Sequence, residues 1–335
     1  MNQSGGKLDT PFLLERLMRE ARRSLDDRDF SSEDEFRDTL REFIDEGLQE
    51  RRTASLSEDP LEMAQELAYL AYESTTADEA LERTEQALEL DPECVDALTV
   101  HGFLTSETAA ELIGALEHAL TCGETRLGEE FFAEFMGDFW PMVEARPYLR
   151  TIKQLGQVLW SVGRRFDAVE NYRNLLDLDP SDHMGSSTLL LGRYLSMGEV
   201  QYSWDLLEEY DDGENAVYQW AWVLVQLLAD DEDAAADALE HALAVNAYVV
   251  DHLFGLVPED DENPPYVAAG SPAEAALCGQ ILGEAWERNP DAHLWLHSQL
   301  VQLGLIEPLN DRNIEFELED EEPSAPDETD KPTRH

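Results

Sequence analysis

Residues 146 to 180, RPYLRTIKQLGQVLWSVGRRFDAVENYRNLLDLDP, constrain the fold more than any other stretch. Apolar positions recur at helical spacing on both sides of Ser161-Val162-Gly163. This predicts one helix, a short turn and a second helix that ends at Asp179-Pro180. Gly156 and Ala168 are small enough to let two antiparallel helices approach closely, while Leu155, Leu159, Tyr172 and Leu175 fill the groove between them. Pro180 lacks an N–H and its ring clashes with a continuing helix, so the unit stops there. One such hairpin leaves an apolar face uncovered and requires neighbours of its own kind.

Those neighbours are present in the sequence. Leu67, Ala68, Ala71, Ala80, Ala87 and Pro92 occupy the slots of Leu155, Gly156, Leu159, Ala168, Leu175 and Pro180. EHALTCG at 117–123 repeats the ending EQALELDP at 85–92, which predicts a shortened hairpin closing there, before the aromatic stretch 124–145 with Phe131, Phe132, Phe135, Phe139 and Trp140. Gly192, Leu195, Gly198 and Ser203 echo the central hairpin, and 216–246 forms another. The spacing resembles a tetratricopeptide repeat. The expected architecture is therefore all-α: a right-handed α-solenoid of tetratricopeptide-like helix hairpins over 60–303.

Residues 11–56 do not fit the repeat. They predict an N-terminal helical cap, with one helix opened by Thr10-Pro11 and presenting Phe12, Leu13, Leu14, Leu17 and Met18 as its apolar side, and a second after Ser31-Ser32. The register breaks at PEDDENPPYVAAGSP, 258–272, a loop too long for a plain connection. Helices are expected from Pro272 to Asn289 and from Ala292 to Leu303. Residues 1–10 and the acidic tail 311–335 are expected to be disordered.

GDFWPMVEARPYLR at 137–150, with LWSVGRRFDAVENYRNLLDLDPSDHMG after it, resembles a family of bacterial tetratricopeptide proteins. ALEHALAVNAYVVDHLFGLVP followed by GSPAEAALCGQILGEAW is similar to the C-terminal region of the suppressor-of-tumorigenicity-seven family. The resemblance spans about 60–300 and implies a repeat fold with no assigned chemistry. Asp179 and Ser181 stand where asparagines are expected, and Ala145 where a polar residue is expected.

Composition limits the partners. The chain has 23 basic and 74 acidic residues, a formal charge of −51, and only Lys7, Lys153 and Lys331 among the cations are lysines. Such a surface repels itself in dilute buffer, whereas molar salt shortens the Debye length to about 3 Å and screens the repulsion. The expected setting is a high-salt cytoplasm. Nucleic acid and anionic membranes are excluded as partners because phosphate charge opposes binding. No apolar run reaches membrane-spanning length and the first residues carry no leader-like apolar core. Cys94, Cys122 and Cys278, far apart and without CxxC spacing, read as reduced core thiols. His293 and His297 stand four apart in HLWLH, but without a zincin glutamate or further ligands, so no metal and no cofactor is expected.

The strongest functional signal is a charge anomaly. Arg146, Arg150, Lys153, Arg164, Arg165, Arg173 and Arg193 face only five acidic residues between 146 and 193, and Arg288 is the only basic residue from 194 to 311. Arg146, Arg150 and Lys153 share one face of a first-position helix. Arginine forks hold carboxylates bidentately, so these three residues predict a groove that clamps an acidic group of a protein segment, with Trp140 and Tyr148 as aromatic support. The competing expectation is intramolecular, with the same cations paired to carboxylates of adjacent repeats. The functional expectation is a non-enzymatic scaffold or adaptor. A metabolite sensor using the same arginines and a hydrolase with an unrecognised site around 131–153 are the alternatives.

Overall fold

The computed structural model describes residues 12–25, 33–50, 58–256 and 267–306, which form helices and connections without any strand. The expected disorder at 1–10 and 311–335, and most of the 258–272 loop, lie outside the described residues. The chain divides into two compact units, Met1–Arg288 and Asn289–His335. The second contains α15 (Pro290–Gln302), on which His293 and His297 both lie.

The first unit runs α1 (Leu13–Leu25), α2 (Glu33–Glu50), α3 (Pro60–Tyr72), α4 (Ala77–Leu90), α5 (Val95–Thr105), α6 (Ala109–Phe135), α7 (Arg146–Ser161), α8 (Arg165–Leu178), α9 (Ser186–Met197), α10 (Val200–Tyr210), α11 (Ala216–Leu228), α12 (Glu232–Asn246), α13 (Val249–Leu253) and α14 (Pro272–Glu287). From α3 to α12 each helix packs on the next, and α3 with α5, α5 with α7, and α9 with α11 also touch. No helix among the described residues is long and apolar enough to cross a membrane.

Local chemistry accounts for the boundaries. Asp59 caps α3 ahead of Pro60 at its first turn, Thr76 caps α4, and Thr108 with Glu111 forms a reciprocal capping box on α6. In the α7–α8 hairpin, Leu155, Gly156, Leu159, Ala168, Tyr172 and Leu175 are all buried, as two closely packed helices require. A Cβ on Gly156 would stand 3.1 Å from the Tyr172 ring, so glycine sets the spacing of the two helices. In α3–α4, Ala64, Ala68 and Ala87 pack with Cys94 and Ala97. The three cysteines are unpaired and buried. Burial pushes the Cys94 thiol up to about 12, as expected of an inert core group.

Two expectations need correction. EHALTCG does not close a hairpin, because helix runs on through it as far as Leu127; the backbone leaves helical geometry only at Gly128 (φ 78°, ψ 160°), and a second helical segment of α6 follows to Phe135. Gly123 is a contact residue there, since a Cβ would lie 2.9 Å from the Tyr148 ring of α7. The α1 helix buries only part of the predicted stripe: Leu17 is fully buried, Phe12, Leu13 and Met18 are half-buried, and two charged residues are buried beside them. Its buried residues are Glu15, Arg16, Leu17, Ala21 and Leu25, while Leu14 is exposed.

Beyond the register break, α14 folds back onto α9 and α11. The crossing is so close that a Cβ on Gly192 would lie 2.4 Å from the Ile281 carbonyl oxygen. Gly192→Ala is therefore expected to destabilise the chain by about 1–3 kcal/mol through overpacking. Gly114→Ala, on an exposed part of α6 with open space around the new Cβ, should stabilise it by about 0.5–1 kcal/mol. Thermal unfolding followed by circular dichroism distinguishes the two; equal melting points for Gly192→Ala and wild type would refute the close crossing.

Candidate functional site

The predicted cluster sits on α7, and its guanidiniums point at carboxylates of this chain. Arg150 Nη1 donates to Glu15 of α1 at 2.7 Å, and its Nε and Nη2 donate to the two oxygens of Asp96 on α5 at 3.1 and 2.6 Å. Asp96 has no solvent exposure and also accepts from Gln65 Nε2 at 2.7 Å. Glu15 accepts in addition from the Tyr69 hydroxyl at 3.0 Å, and Arg146 Nη1 lies 3.7 Å away. Burial opposes the charge on Arg150, but Asp96 and Glu15 outweigh it and hold the guanidinium well above its ordinary range. Arg146 goes the other way: burial lowers it, with Glu15 opposing and the like charge of Arg150 adding to the fall.

Trp140 joins this cluster through Arg146. The Arg146 guanidinium lies 4.3 Å from the Trp140 ring centroid, its Nε donates to the Trp140 carbonyl at 3.0 Å, and the far partner is His183, stacked on Trp140 at 5.4 Å. His183 Nδ1 is in turn 2.8 Å from Asp179. Lys153 and Tyr148 belong elsewhere. Lys153 Nζ donates to the Met184 carbonyl at 2.5 Å, tying α7 to the turn before α9, and burial lowers its pKa against the pull of Asp182. Tyr148 is buried against α6, where its hydroxyl donates to Glu124 at 3.0 Å and its ring meets Phe132 edge-on. Of the five predicted residues, the structure thus unites Arg146, Arg150 and Trp140. The clamp foreseen for a partner's carboxylate holds Glu15.

The rest of the network was absent from the expectation. Arg16 reaches Glu66 at 3.0 Å and forks onto Glu73 at 2.8 and 3.0 Å; Arg19 donates to the Tyr69 hydroxyl at 3.1 Å and to Glu62 at 3.3 Å. Phe12 stacks on Tyr69 at 4.6 Å and lies under Arg150 at 5.2 Å. A signal existed: α1 carries four arginines against two glutamates in a chain of −51. It is the same anomaly as the α7 window.

A second ionic centre binds α14 to the middle of the unit. Glu284 accepts from Trp160 Nε1 at 2.8 Å, Arg165 at 2.9 Å and Arg288 at 3.0 Å. The guanidiniums of Arg165 and Arg193 lie over the Trp160 ring at 4.7 and 4.6 Å. Burial would raise the Glu284 carboxyl, but these hydrogen bonds and charges hold it below its ordinary value.

Among the described residues no cluster of His, Cys, Asp and Glu is arranged to hold a metal. Cys122 Sγ lies 3.8 Å from His118 Nε2, but burial and the charge of Glu93 raise that thiol, the reverse of an activated nucleophile. No protein-family model and no curated protein matches the chain.

Arg150→Ala leaves Glu15 and Asp96 facing each other without their shared cation. It is expected to cost about 3–5 kcal/mol in denaturant unfolding. Arg164→Ala, which removes only the exposed pair with Asp167, should cost under about 1 kcal/mol. Similar losses for both would show that the buried bridge is not a principal tie.

Proposed function

We propose that this protein is a non-enzymatic, tetratricopeptide-like adaptor whose hairpins form a right-handed solenoid. Its α3–α5–α7 face would hold a helical protein segment. The observation that carries this reading is α1: a helix lies on that face, held by Arg150 through Glu15 and by an acidic row on α3 through arginines. A stacked array presents such groups at fixed spacing, so a helix docks without reshaping the receptor. The resemblance at 137–198 and 235–296 to tetratricopeptide and suppressor-of-tumorigenicity-seven proteins supports the same fold. An anion sensor draws less support, because Arg146 and Arg150 already face Glu15 and Asp96. A hydrolase draws less still, since the nearest thiol–imidazole pair has its thiol pKa raised.

The acidic surface fits a high-salt cytoplasm. In that setting exposed charges are screened, and recognition rests on short, partly buried contacts such as Arg16–Glu73. The melting temperature is expected to rise as KCl increases from about 0.1 M to about 2 M; a flat or falling curve would remove the high-salt assignment. Affinity capture at molar salt, with wild type beside a folded Glu62→Arg, Glu66→Arg variant, tests the adaptor reading. A protein recovered by wild type and lost by the variant supports binding on this face. Identical recoveries would move the partner to another surface, and no recovery from either would count against an adaptor.

A further inference from the structure

The α1 helix is two-sided in an unusual sense. Its apolar residue Leu17 turns to α2, where its side chain fills the space beside Gly47. Its docked side is aromatic and ionic: Phe12, Glu15, Arg16, Arg19 and Arg23 stand three, four, seven and eleven residues from the first, so they lie along one face. Each has a partner on the array. Phe12 stacks on Tyr69 and meets Tyr72 at a tilt, Glu15 meets Arg150 and Tyr69, Arg16 meets Glu66 and Glu73, and Arg19 and Arg23 converge on Glu62. The receiving surface is a mould of opposite sign. It is an acidic row of Glu62 and Glu66 on α3 and Glu73 at its C-cap, with Tyr69 and Tyr72 of α3 and one cation, Arg150, from α7. Charge patterns of this kind select a partner and its register more than they fuse two elements into one core.

Building on the adaptor reading, we propose that this surface is a helix-binding site and that α1 is its resident occupant. The partner is an amphipathic helix with an aromatic residue, a carboxylate three positions later, and arginines four and seven positions after the aromatic. It is a basic helix with one acidic residue, and it binds by displacing α1. This differs from the acidic segment that the α7 arginines alone suggested, because the one carboxylate they hold is surrounded by a row that demands cations.

The probe is a fluorescent peptide of residues 11–25, titrated into purified full-length protein at molar salt. Loosening the resident helix with Phe12→Ala and Glu15→Gln in the full chain should tighten peptide binding at least about tenfold over wild type, because the free site becomes more populated. Charge reversal supplies a control that misfolding cannot imitate. The Glu62→Arg, Glu66→Arg, Glu73→Arg chain should lose the native peptide and take up a peptide carrying Arg16→Glu, Arg19→Glu and Arg23→Glu. No peptide binding to any variant, or equal binding to wild type and the loosened chain, would overturn the proposal. So would light scattering that shows a dimer dissociated by the same α1 substitutions, which would make the occupant a second copy. Failure here with a partner still captured on this face would leave the adaptor standing and remove only the α1-like ligand.

Discussion

A guanidinium buried between two carboxylates ties together elements that lie far apart in the chain. Arg150 of α7 bonds Asp96 of α5 and, 135 positions away in sequence, Glu15 of α1. Burying any one of these charges alone would cost several kcal/mol, roughly, so none is stable there without the others. Arginine suits the position: its rigid fork engages Asp96 through two N–H groups and Glu15 through a third. A lysine, with one point charge, does not span both partners. In a chain of −51, the arginines of α1 and α7 bridge helices distant in sequence. Arg126 on the buried Asp91 and the Arg165–Arg193–Glu284 centre repeat the same solution.

Between these ionic ties the packing depends on small residues. Gly123 lets α6 lie against Tyr148, and Gly192 lets α14 cross α9 almost in backbone contact. Such approaches increase the dispersion contacts available to their neighbours. The two kinds of tie respond differently to the medium. Salt screens the exposed pairs, such as Arg164–Asp167, far more than the bridge at Asp96, which has no exposure. Apolar and buried ionic contacts therefore hold the fold, while the outer carboxylates remain solvated.

The central hairpin was fully legible because its determinants are local. Leu155, Gly156, Leu159, Ala168, Tyr172 and Leu175 face one another within a single pair of helices, and Pro180 ends it. The α3–α4 and α11–α12 hairpins were legible for the same reason. EHALTCG was misread because its likeness to EQALELDP suggested a hairpin end, whereas its Gly123 admits the Tyr148 ring of α7. The α1 face was only half legible: Leu17 of the apolar stripe Phe12, Leu13, Leu14, Leu17 and Met18 is buried, but Leu14 is exposed and Glu15 and Arg16 are buried as well. A charged residue is buried only when its counter-charge is already in place, and those partners lie 50 to 135 residues downstream.

Periodicity, small residues and helix-ending prolines specified the helices, their pairing into hairpins and the unusual weight of arginine on α7. These act over one or two helical turns, or across one short connection, so the order of residues contains them. Which carboxylate each arginine meets, which side of α1 faces α3 and α7, and the return of α14 onto α9 and α11 were decided in three dimensions. Each depends on groups far apart in the chain whose desolvation cost is offset only when both arrive together.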